Sequence, residues 1–391
     1  FVINGNTIKE GDLITLNGTA GKVYEGELPL IETDISSDYL THFLGMCDGI
    51  KKLKVRTNAE TSADAKRALN FGAEGIGLFR IEHMFYGEGA EKPLFHLQEM
   101  IMANNSDERK TALDLLFPYM KKDIKNTLKT MEGLPVTIRL MDPPLHEFIP
   151  HDKNRQKELS ESLGIDSTEL ARRSDALKES NPMMGHRGVR LGITHPEITE
   201  MQAQAILEAA AELNVEGVKT FPEIMVPLTG METEYNHQEK IIRKIASNID
   251  NLDNYMVGTM IEIPRATVIA DRIAETAEFF SFGTNDLTQM AFGFSRDDTG
   301  GFMPAYLEQG LLPEDPFASL DEAVCELVKM GIEKGRKTKP DLKIGICGEH
   351  GGEPKSVHFC HNVGMDYVSC SPFRVPIARL SAAQAVLNNE K

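Results

Sequence analysis

Short runs of apolar residues alternate along most of the chain with longer stretches in which apolar residues recur every three or four positions. The short runs have the length and composition of buried β-strands, and the longer spacing is that of amphipathic helices such as "TEMQAQAILEAAAELN". Eight runs have the character of strands, and they lie near residues 53–57, 74–80, 135–142, 223–228, 255–262, 279–283, 342–347 and 366–370.

This alternation of strands and helices predicts an α/β fold, a (β/α)8 barrel in which eight parallel strands close into a cylinder. Because counting strands does not establish closure, an open doubly wound sheet is the alternative. The interval 143–221, after the third run, is much longer than the others. We expect it to hold extra helices and loops inserted on the functional rim of the barrel.

Residues 1–30 follow a different pattern, in which short β-type runs are punctuated by glycines, as is typical of hairpins. We expect them to be the last strands of a small domain that begins earlier in a longer protein. Residues 31–50 would then connect this domain to a barrel formed by residues 51–391. The first residue is Phe1 and not methionine, which agrees with that expectation.

The net charge of −17 argues against a nucleic-acid partner, because such binding is driven by Lys and Arg side chains that neutralise phosphates. An acidic protein can still bind a small phosphorylated anion where a few arginines converge. No run approaches the roughly 18 apolar residues of a membrane span, so we expect no membrane association. The five cysteines show no CxxC spacing, which favours a reducing, cytoplasmic compartment without a disulfide framework.

Polar side chains end or follow several of the predicted strands. In a (β/α)8 barrel the carboxyl ends of the strands meet at one mouth, where active sites lie. We therefore expect these side chains to share one site. They are Arg56, Arg80, Arg139, Glu262, Asn285, Asp286 and Cys347.

The arginines of this set are candidates for binding an anion, because a planar guanidinium can bind a phosphate or carboxylate through two hydrogen bonds. Arg80 and Arg139 are the strongest candidates, since both follow apolar strands. Arg56 has the same position in its run, but its role could be limited to bracing its neighbours. Arg296, in "GFSRDD", lies farther along the chain and could reach the same anion.

Glu262 and Asp286 form a candidate Mg²⁺ site, because Mg²⁺ binds through one or two carboxylates and leaves its other positions to water and substrate oxygens. The alternative is that each carboxylate pairs with an arginine. In "FGTNDLTQ", Gly283 permits a close approach of the backbone, and Thr284 and Asn285 supply hydrogen-bond donors to a bound anion.

Cys347 is a candidate proton carrier, because the thiol pKa of about 8.5 lies closer to neutral pH than that of a hydroxyl. Glu349 and His350 follow it and could relay the proton outward. The alternative is a small buried core residue, which is the commoner role of a free cysteine. We expect that role for Cys360 and Cys370, and likewise for Cys325.

Six segments carry a resemblance to a known family: "EGIGLFRIEHMFY", "RLMDPPLHEFIP", "NPMMGHRGVRLGITHPEI", "GTMIEIPRA", "FSFGTNDLTQM" and "GICGEHGG". Over nearly the whole chain, the sequence closely resembles the C-terminal phosphoenolpyruvate (PEP)/pyruvate-binding barrel of the pyruvate, phosphate dikinases. "FGTNDLTQ" alone would also admit PEP synthase and the first enzyme of the bacterial sugar phosphotransferase system. The segments "RLMDPPLHEFIP" and "MMGHRGVRLG" favour the dikinases over these alternatives.

The resemblance implies roles for individual residues. Arg80 and Arg139 would hold the phosphoryl end of the substrate, and Glu262 and Asp286 would bind Mg²⁺. The turn 283–286 would bind the substrate.

Three further residues acquire roles from the resemblance. Cys347 would act as the catalytic acid and base, and Arg187, in "GHRG", as a further active-site arginine. Arg296 is similar to a phosphate contact in the phosphotransferase relative. Residues 1–30 resemble the end of the family's swivelling phosphohistidine domain.

The family's overall reaction converts ATP, pyruvate and phosphate to AMP, PEP and diphosphate through a phosphohistidine. The family's "TSHAA"-like phosphohistidine motif and its ATP-grasp domain do not occur in this sequence. We therefore expect the chain to carry only the pyruvate end of the reaction, working with those domains of a parent chain and in a homodimer. A non-catalytic dimerisation scaffold is the alternative of a different class.

Overall fold

The glycine-punctuated runs at the start of the chain form hairpins, as predicted. Strand β1 (Val2–Ile3) pairs antiparallel with β2 (Asn6–Thr7), and β3 (Ile14–Asn17) pairs antiparallel with β4 (Lys22–Glu25). Gly5, in the tight turn between β1 and β2, has a φ of 84°, a conformation that glycine adopts without steric cost.

The computed structural model of the protein describes most of the chain and divides it into two compact units, Phe1–His42 and Phe43–Lys391. Residues 31–36, part of the predicted connecting segment, lie outside the described residues. The described residues are 2–3, 5–17, 21–30, 37–87, 89–150 and 152–389.

Eight parallel strands of the second unit close into a barrel, which confirms the predicted fold and makes the open sheet wrong. Each strand pairs with the next one along the chain, and the last strand pairs with the first. The strands are β5 (Lys54–Ala59), β6 (Ile76–Arg80), β7 (Pro135–Arg139), β8 (Phe221–Val226), β9 (Met256–Ile261), β10 (Phe279–Phe282), β11 (Lys343–Ile346) and β12 (Tyr367–Cys370).

Helices connect these strands, and side-chain caps start several of them. Thr61, Asn105 and Asp321 each accept a hydrogen bond from a backbone amide of the turn that follows. None of the described helices is both long and apolar enough to cross a membrane. The helices are α1 (Asp38–Ile50), α2 (Ser62–Asn70), α3 (Glu91–Met102), α4 (Ser106–Thr130), α5 (Lys153–Leu163), α6 (Ser167–Leu177), α7 (Val189–Thr194), α8 (Pro196–Val215), α9 (Glu232–Ala246), α10 (Pro264–Val268), α11 (Ala270–Ile273), α12 (Thr284–Phe292), α13 (Met303–Glu308), α14 (Glu322–Thr338), α15 (Pro354–Asn362) and α16 (Val375–Asn389).

The long interval between β7 and β8 contains the expected extra helices, α5, α6 and α7, before α8 leads back to the barrel. Gly188 is the N-cap residue of α7, and its backbone amide donates to the carbonyl oxygen of Asp142 at 3.1 Å. This hydrogen bond ties the start of α7 to the segment that follows β7.

Two glycines within strands make room for aromatic rings. A Cβ atom on Gly258 would lie 2.4 Å from the Phe279 ring, and one on Gly345 would lie 2.2 Å from the Tyr367 ring. Both rings are fully buried. At these two positions, a glycine on one strand leaves the volume that an aromatic ring from the neighbouring strand fills.

Arg56 is not at the mouth, so its predicted position at a strand end is wrong. Strand β5 continues to Ala59, and Arg56 is buried inside the barrel. Its guanidinium donates to Glu223 at 2.8 Å and to Thr137 at 3.2 Å, and it stacks 3.9 Å from the centre of the Tyr367 ring. These contacts brace the interior of the barrel, and the Arg56 guanidinium is therefore not available to a ligand at the mouth.

We expect Glu223→Ala to lower the free energy of unfolding by roughly 3–5 kcal/mol, because it leaves the buried Arg56 charge without its main partner. Urea unfolding followed by circular dichroism measures the change. Glu161→Ala is the matched control: Glu161 is 68% exposed and lies 3.9 Å from Lys157. That change should cost about 0.5 kcal/mol or less. Equal unfolding midpoints for the two variants would contradict the assigned role of Glu223.

Candidate active site

A cavity of about 280 Å³ lies at the mouth of the barrel, where the carboxyl ends of the parallel strands converge. It brings together nine of the ten residues to which the family resemblance assigns a role. The cavity-lining predicted residues are Arg80, Arg139, Arg187, Glu262, Gly283, Asn285, Asp286, Arg296 and Cys347.

Thr284 is the tenth of these residues and does not line the cavity. Its side chain is fully buried, and its hydroxyl lies 2.8 Å from Nδ1 of His350. The other ring nitrogen of His350, Nε2, lies 2.9 Å from the carbonyl oxygen of Pro316. Both nitrogens are therefore engaged away from the cavity, and the arrangement does not support a proton relay through His350.

Asp142 connects two of the arginines. Its Oδ2 lies 2.8 Å from Nη1 of Arg139 and 2.5 Å from Nη2 of Arg187. Burial alone would raise the pKa of Asp142, but the two guanidinium charges outweigh it and hold the pKa below its usual value. Asp142 therefore stays ionised and holds the guanidinium groups of both arginines in place. Glu82 binds Arg139 from another side.

Sequence reasoning missed Asp142, although a usable signal was present. The residue lies three positions after the end of β7, and the rule that active-site groups follow barrel strands applies to it as well.

Arg80 has a looser environment than Arg139. Its Nη1 donates to Glu60 at 2.8 Å, and His83 lies 2.7 Å from the same carboxylate oxygen. The Arg80 side chain is 27% exposed, compared with 11% for Arg139. Arg80 therefore faces the open side of the mouth, while Arg139 forms part of the floor.

Glu262 follows β9 directly and is buried with an excess of negative charge around it. Burial and then the charges of Asp286 and Asp142 raise the pKa of this carboxyl well above its usual value. Its Oε1 accepts a hydrogen bond from the amide of Leu228 at 2.7 Å. Leu228 has a φ of 56°, which is costly for a leucine, so the fold maintains strain at the residue whose amide holds Glu262.

The arrangement around Glu262 fits a divalent cation bound through oxygen. A Cβ atom on Gly283 would lie 2.6 Å from Oε2 of Glu262, so glycine keeps the space beside this carboxylate open. Asp286 lines the same cavity, accepts a hydrogen bond from Gln289 at 3.0 Å and lies 3.7 Å from Arg187. A cation between the two carboxylates would offset the repulsion that raises the pKa of Glu262.

Protein ligands alone would not complete the coordination shell of such an ion. In the part of the chain that the structure describes, no group of three or more His, Cys, Asp or Glu side chains is arranged around a common metal position. A cation held by two carboxylates takes its remaining ligands from water and from the oxygens of a bound molecule.

Cys347 follows β11 directly and lines the cavity with 2% of its surface exposed. Burial raises the pKa of its thiol to about 11, the neighbouring Ser281 hydroxyl acts in the opposite direction, and Glu262 raises the pKa further. The Cys347 sulfur lies 3.7 Å from the carbonyl oxygen of Phe282. At neutral pH the thiol therefore carries its proton and can act as an acid toward a bound molecule.

A larger groove of about 810 Å³ continues from the cavity along the inserted segment. Arg187, Asp286, Gln289 and Asp297 line both spaces. A group on another protein surface could therefore approach the cavity from this side.

The sequence matches a known domain family and several curated relatives. The profile of the PEP-binding domain of PEP-utilising enzymes matches residues 36–387. The chain is 53% identical over 393 residues to "Pyruvate, phosphate dikinase 1, chloroplastic" of Oryza sativa subsp. japonica, covering 99% of this chain and 41% of the relative. It is 50% identical over 396 residues to pyruvate, phosphate dikinase of Clostridium symbiosum, covering 100% of this chain and 45% of the relative.

A third relative is pyruvate, phosphate dikinase of Rhizobium meliloti (strain 1021), which is 50% identical over 392 residues, with 98% of this chain and 43% of the relative covered. The chain thus spans less than half the length of these relatives. These matches confirm the resemblance to the pyruvate, phosphate dikinases.

We expect Cys347 to react slowly with iodoacetamide at pH 7–8 and about tenfold faster for each further pH unit, because only the thiolate reacts. The raised pKa of about 11 shifts this rise to higher pH in the folded protein. In urea, the rate should level off above a pH of about 8.5. Mass spectrometry of the Cys347 peptide gives both profiles, and coinciding profiles would contradict the raised pKa.

Proposed function

The chain belongs to the PEP-utilising enzymes as a PEP-binding domain, and from this premise we propose that it is the PEP/pyruvate-binding barrel of a pyruvate, phosphate dikinase. Its half-reaction would move a phosphoryl group reversibly between a phosphohistidine on another domain and the enolate of pyruvate. The observation that carries this proposal is the cavity of about 280 Å³ in which arginines, two carboxylates and a thiol converge.

Arg80 and Arg139 bind the phosphoryl group in this proposal. Phosphoryl transfer depends mainly on positioning and on stabilising the negative charge of the transferred group. The ion pair between Arg139 and Asp142 holds the Arg139 guanidinium in position before the substrate arrives. Arg80, on the open side, can follow the group as it leaves, and Arg187 and Arg296 add positive charge around it.

Glu262 and Asp286 would hold Mg²⁺ beside the turn that contains Gly283 and Asn285. When bound, Mg²⁺ supplies a Lewis acid that stabilises the negative charge of the enolate. The backbone amide of Leu228 keeps Glu262 oriented toward the cavity. The weak 3.7 Å pairing of Asp286 with Arg187 leaves its carboxylate available for this role.

Cys347 handles the proton. When PEP is consumed, the bond between phosphorus and the enol oxygen breaks and the phosphoryl group passes to the histidine. The Cys347 thiol then gives its proton to carbon 3 of the enolate, which yields pyruvate and a thiolate that regains a proton from solvent. In the other direction the thiolate takes a methyl proton from pyruvate. Burial raises the thiol pKa overall, and the charges of Arg139 and Arg80 act in the opposite direction and so favour the thiolate that this step needs.

The other components of the reaction lie outside the barrel in this proposal. Residues 1–30 are the end of the phosphohistidine domain, 31–50 the linker and 51–391 the barrel. The groove beside the cavity leaves room for the phosphohistidine, and an ATP-grasp domain of the parent chain completes the conversion of ATP, pyruvate and phosphate to AMP, PEP and diphosphate. A homodimer in the cytoplasm is part of the same proposal.

The rival PEP-utilising enzymes, PEP synthase and the first phosphotransferase-system enzyme, have less support. The identity of 50% or more to dikinases extends over nearly the whole chain and includes the segments after β7. A non-catalytic scaffold would bind no substrate in a Mg²⁺-dependent manner.

We expect calorimetric titration of this chain with PEP to show binding that requires Mg²⁺ and disappears when EDTA is added. Asp286→Asn should weaken binding at least about tenfold, because it removes a charged ligand of the cation. Asp175→Asn, a change at an exposed position paired with Lys178, is the matched control. PEP affinity that is independent of both Mg²⁺ and Asp286 would contradict the proposed metal site.

Cys347→Ala should separate binding from proton transfer. The unmodified chain should exchange the methyl protons of pyruvate for deuterium in a Mg²⁺-dependent manner, which proton NMR detects without the phosphohistidine domain. The variant should lose this exchange by at least about a hundredfold while its PEP affinity stays within about threefold. Cys325→Ala, on α14, is the control and should retain both properties. Loss of PEP binding together with exchange in Cys347→Ala would mean a structural role.

A further inference from the structure

His350 links three segments at the mouth although it does not line the cavity. It lies in the short 3₁₀ turn Glu349–Gly352 after β11 and is completely buried. One ring nitrogen faces the Thr284 hydroxyl at the start of α12, and the other faces the carbonyl oxygen of Pro316. A buried polar side chain with both nitrogens satisfied holds its neighbours in one relative arrangement.

The partners of His350 determine its tautomer. The carbonyl of Pro316 can only accept, so Nε2 carries the hydrogen and donates it at 2.9 Å. Burial lowers the pKa of His350, so the ring is neutral and Nδ1 is an acceptor. The hydroxyl of Thr284 must then donate to Nδ1 across 2.8 Å. The orientation of Thr284 is thus set by a residue on another loop.

The same two segments meet at two further points. A Cβ atom on Gly348 would lie 2.0 Å from the Thr284 hydroxyl oxygen, so only glycine permits this approach. The amide of Glu349 donates to Oδ1 of Asn285 at 3.0 Å. Cys347 directly precedes Gly348, and Asp286 directly follows Asn285. The contacts therefore set the position of the thiol relative to the first turn of α12.

We propose that His350 is a positioning residue that, through Thr284, fixes the Cys347 loop against the first turn of α12. The substrate toward which the thiol is oriented is the one assigned in the proposed function, and this part of the proposal rests on that assignment. His350 itself exchanges no proton with the substrate. Its contribution is to hold the sulfur at one distance from carbon 3 of a substrate bound beside Asp286.

Two substitutions separate the two hydrogen bonds of His350. The side-chain oxygen of His350→Asn can reach the position of Nδ1 and accept from Thr284. The side-chain amide of His350→Gln can reach the position of Nε2 and donate to Pro316, which leaves Thr284 without its acceptor. The proposal therefore expects rescue by asparagine and not by glutamine.

In this chain, His350→Gln should slow the Mg²⁺-dependent deuterium exchange of pyruvate by at least about tenfold while the PEP affinity from calorimetry stays within about threefold. His350→Asn should keep both within about threefold of the unmodified chain. A purely structural role would lower binding and exchange together in both variants. A folded His350→Asn protein that loses exchange overturns the proposal, even if His350→Gln does not fold.

The rate at which iodoacetamide alkylates Cys347 gives a readout that does not depend on any substrate. A released loop should expose the thiol, so His350→Gln should react about tenfold faster than the unmodified chain or His350→Asn. Alkylation of Cys325, on α14, is the internal reference. Equal Cys347 rates in all three proteins overturn the proposal.

The two readouts separate failure of the positioning role from failure of the substrate assignment. A chain that neither binds PEP nor exchanges pyruvate, but shows the alkylation difference, would refute the proposed function and support positioning of the loop. A chain that binds and exchanges, with His350→Gln unchanged in every rate, would support the proposed function and refute the role of His350.

Discussion

The arrangement of the mouth depends on how charges buried at the ends of β7 and β9 are balanced. A desolvated carboxylate is stable only with a nearby positive charge or several hydrogen bonds. Asp142 has two nearby positive charges, because Arg139 and Arg187 share one of its oxygens. Glu262 receives one backbone amide, and the described residues supply it no ion pair within 4.0 Å. This difference makes Asp142 a fixed anchor and leaves Glu262 able to bind a cation.

The two ends of the barrel interior solve the problem of burying polar groups in different ways. Near the amino ends of the strands, the Glu223 carboxylate is paired with both Arg56 and Lys343. Near the carboxyl ends, Cys347 is buried without a charged partner of its own, and its proton is held more tightly than in water. The first arrangement stabilises the barrel, whereas the second keeps a reactive group in one protonation state until a ligand changes its surroundings.

Segments outside the strands bring the remaining groups to the mouth. The insertion between β7 and β8 carries Arg187, which reaches Asp142, and the turn after β11 packs against the start of α12 through His350. A site made only from strand ends would hold its side chains in fixed positions, and few of them could adjust to a ligand. Here the strands hold the floor, and loops tied to them by buried hydrogen bonds carry the thiol and one arginine.

The strands, the helices and most residues of the cavity could be predicted from sequence alone, whereas closure of the sheet into a barrel could not. Hydrophobic periodicity is a local signal, and it identifies strands and helices. Once a barrel is assumed, the convergence of its parallel strand ends predicts that Arg80, Glu262 and Cys347 meet. That Arg56 points into the barrel and that His350 is buried follows from the three-dimensional packing and not from the sequence pattern. Their partners lie 167 and 66 residues away along the chain. Which side chains meet across such separations depends on strand register and loop packing, which no local pattern encodes.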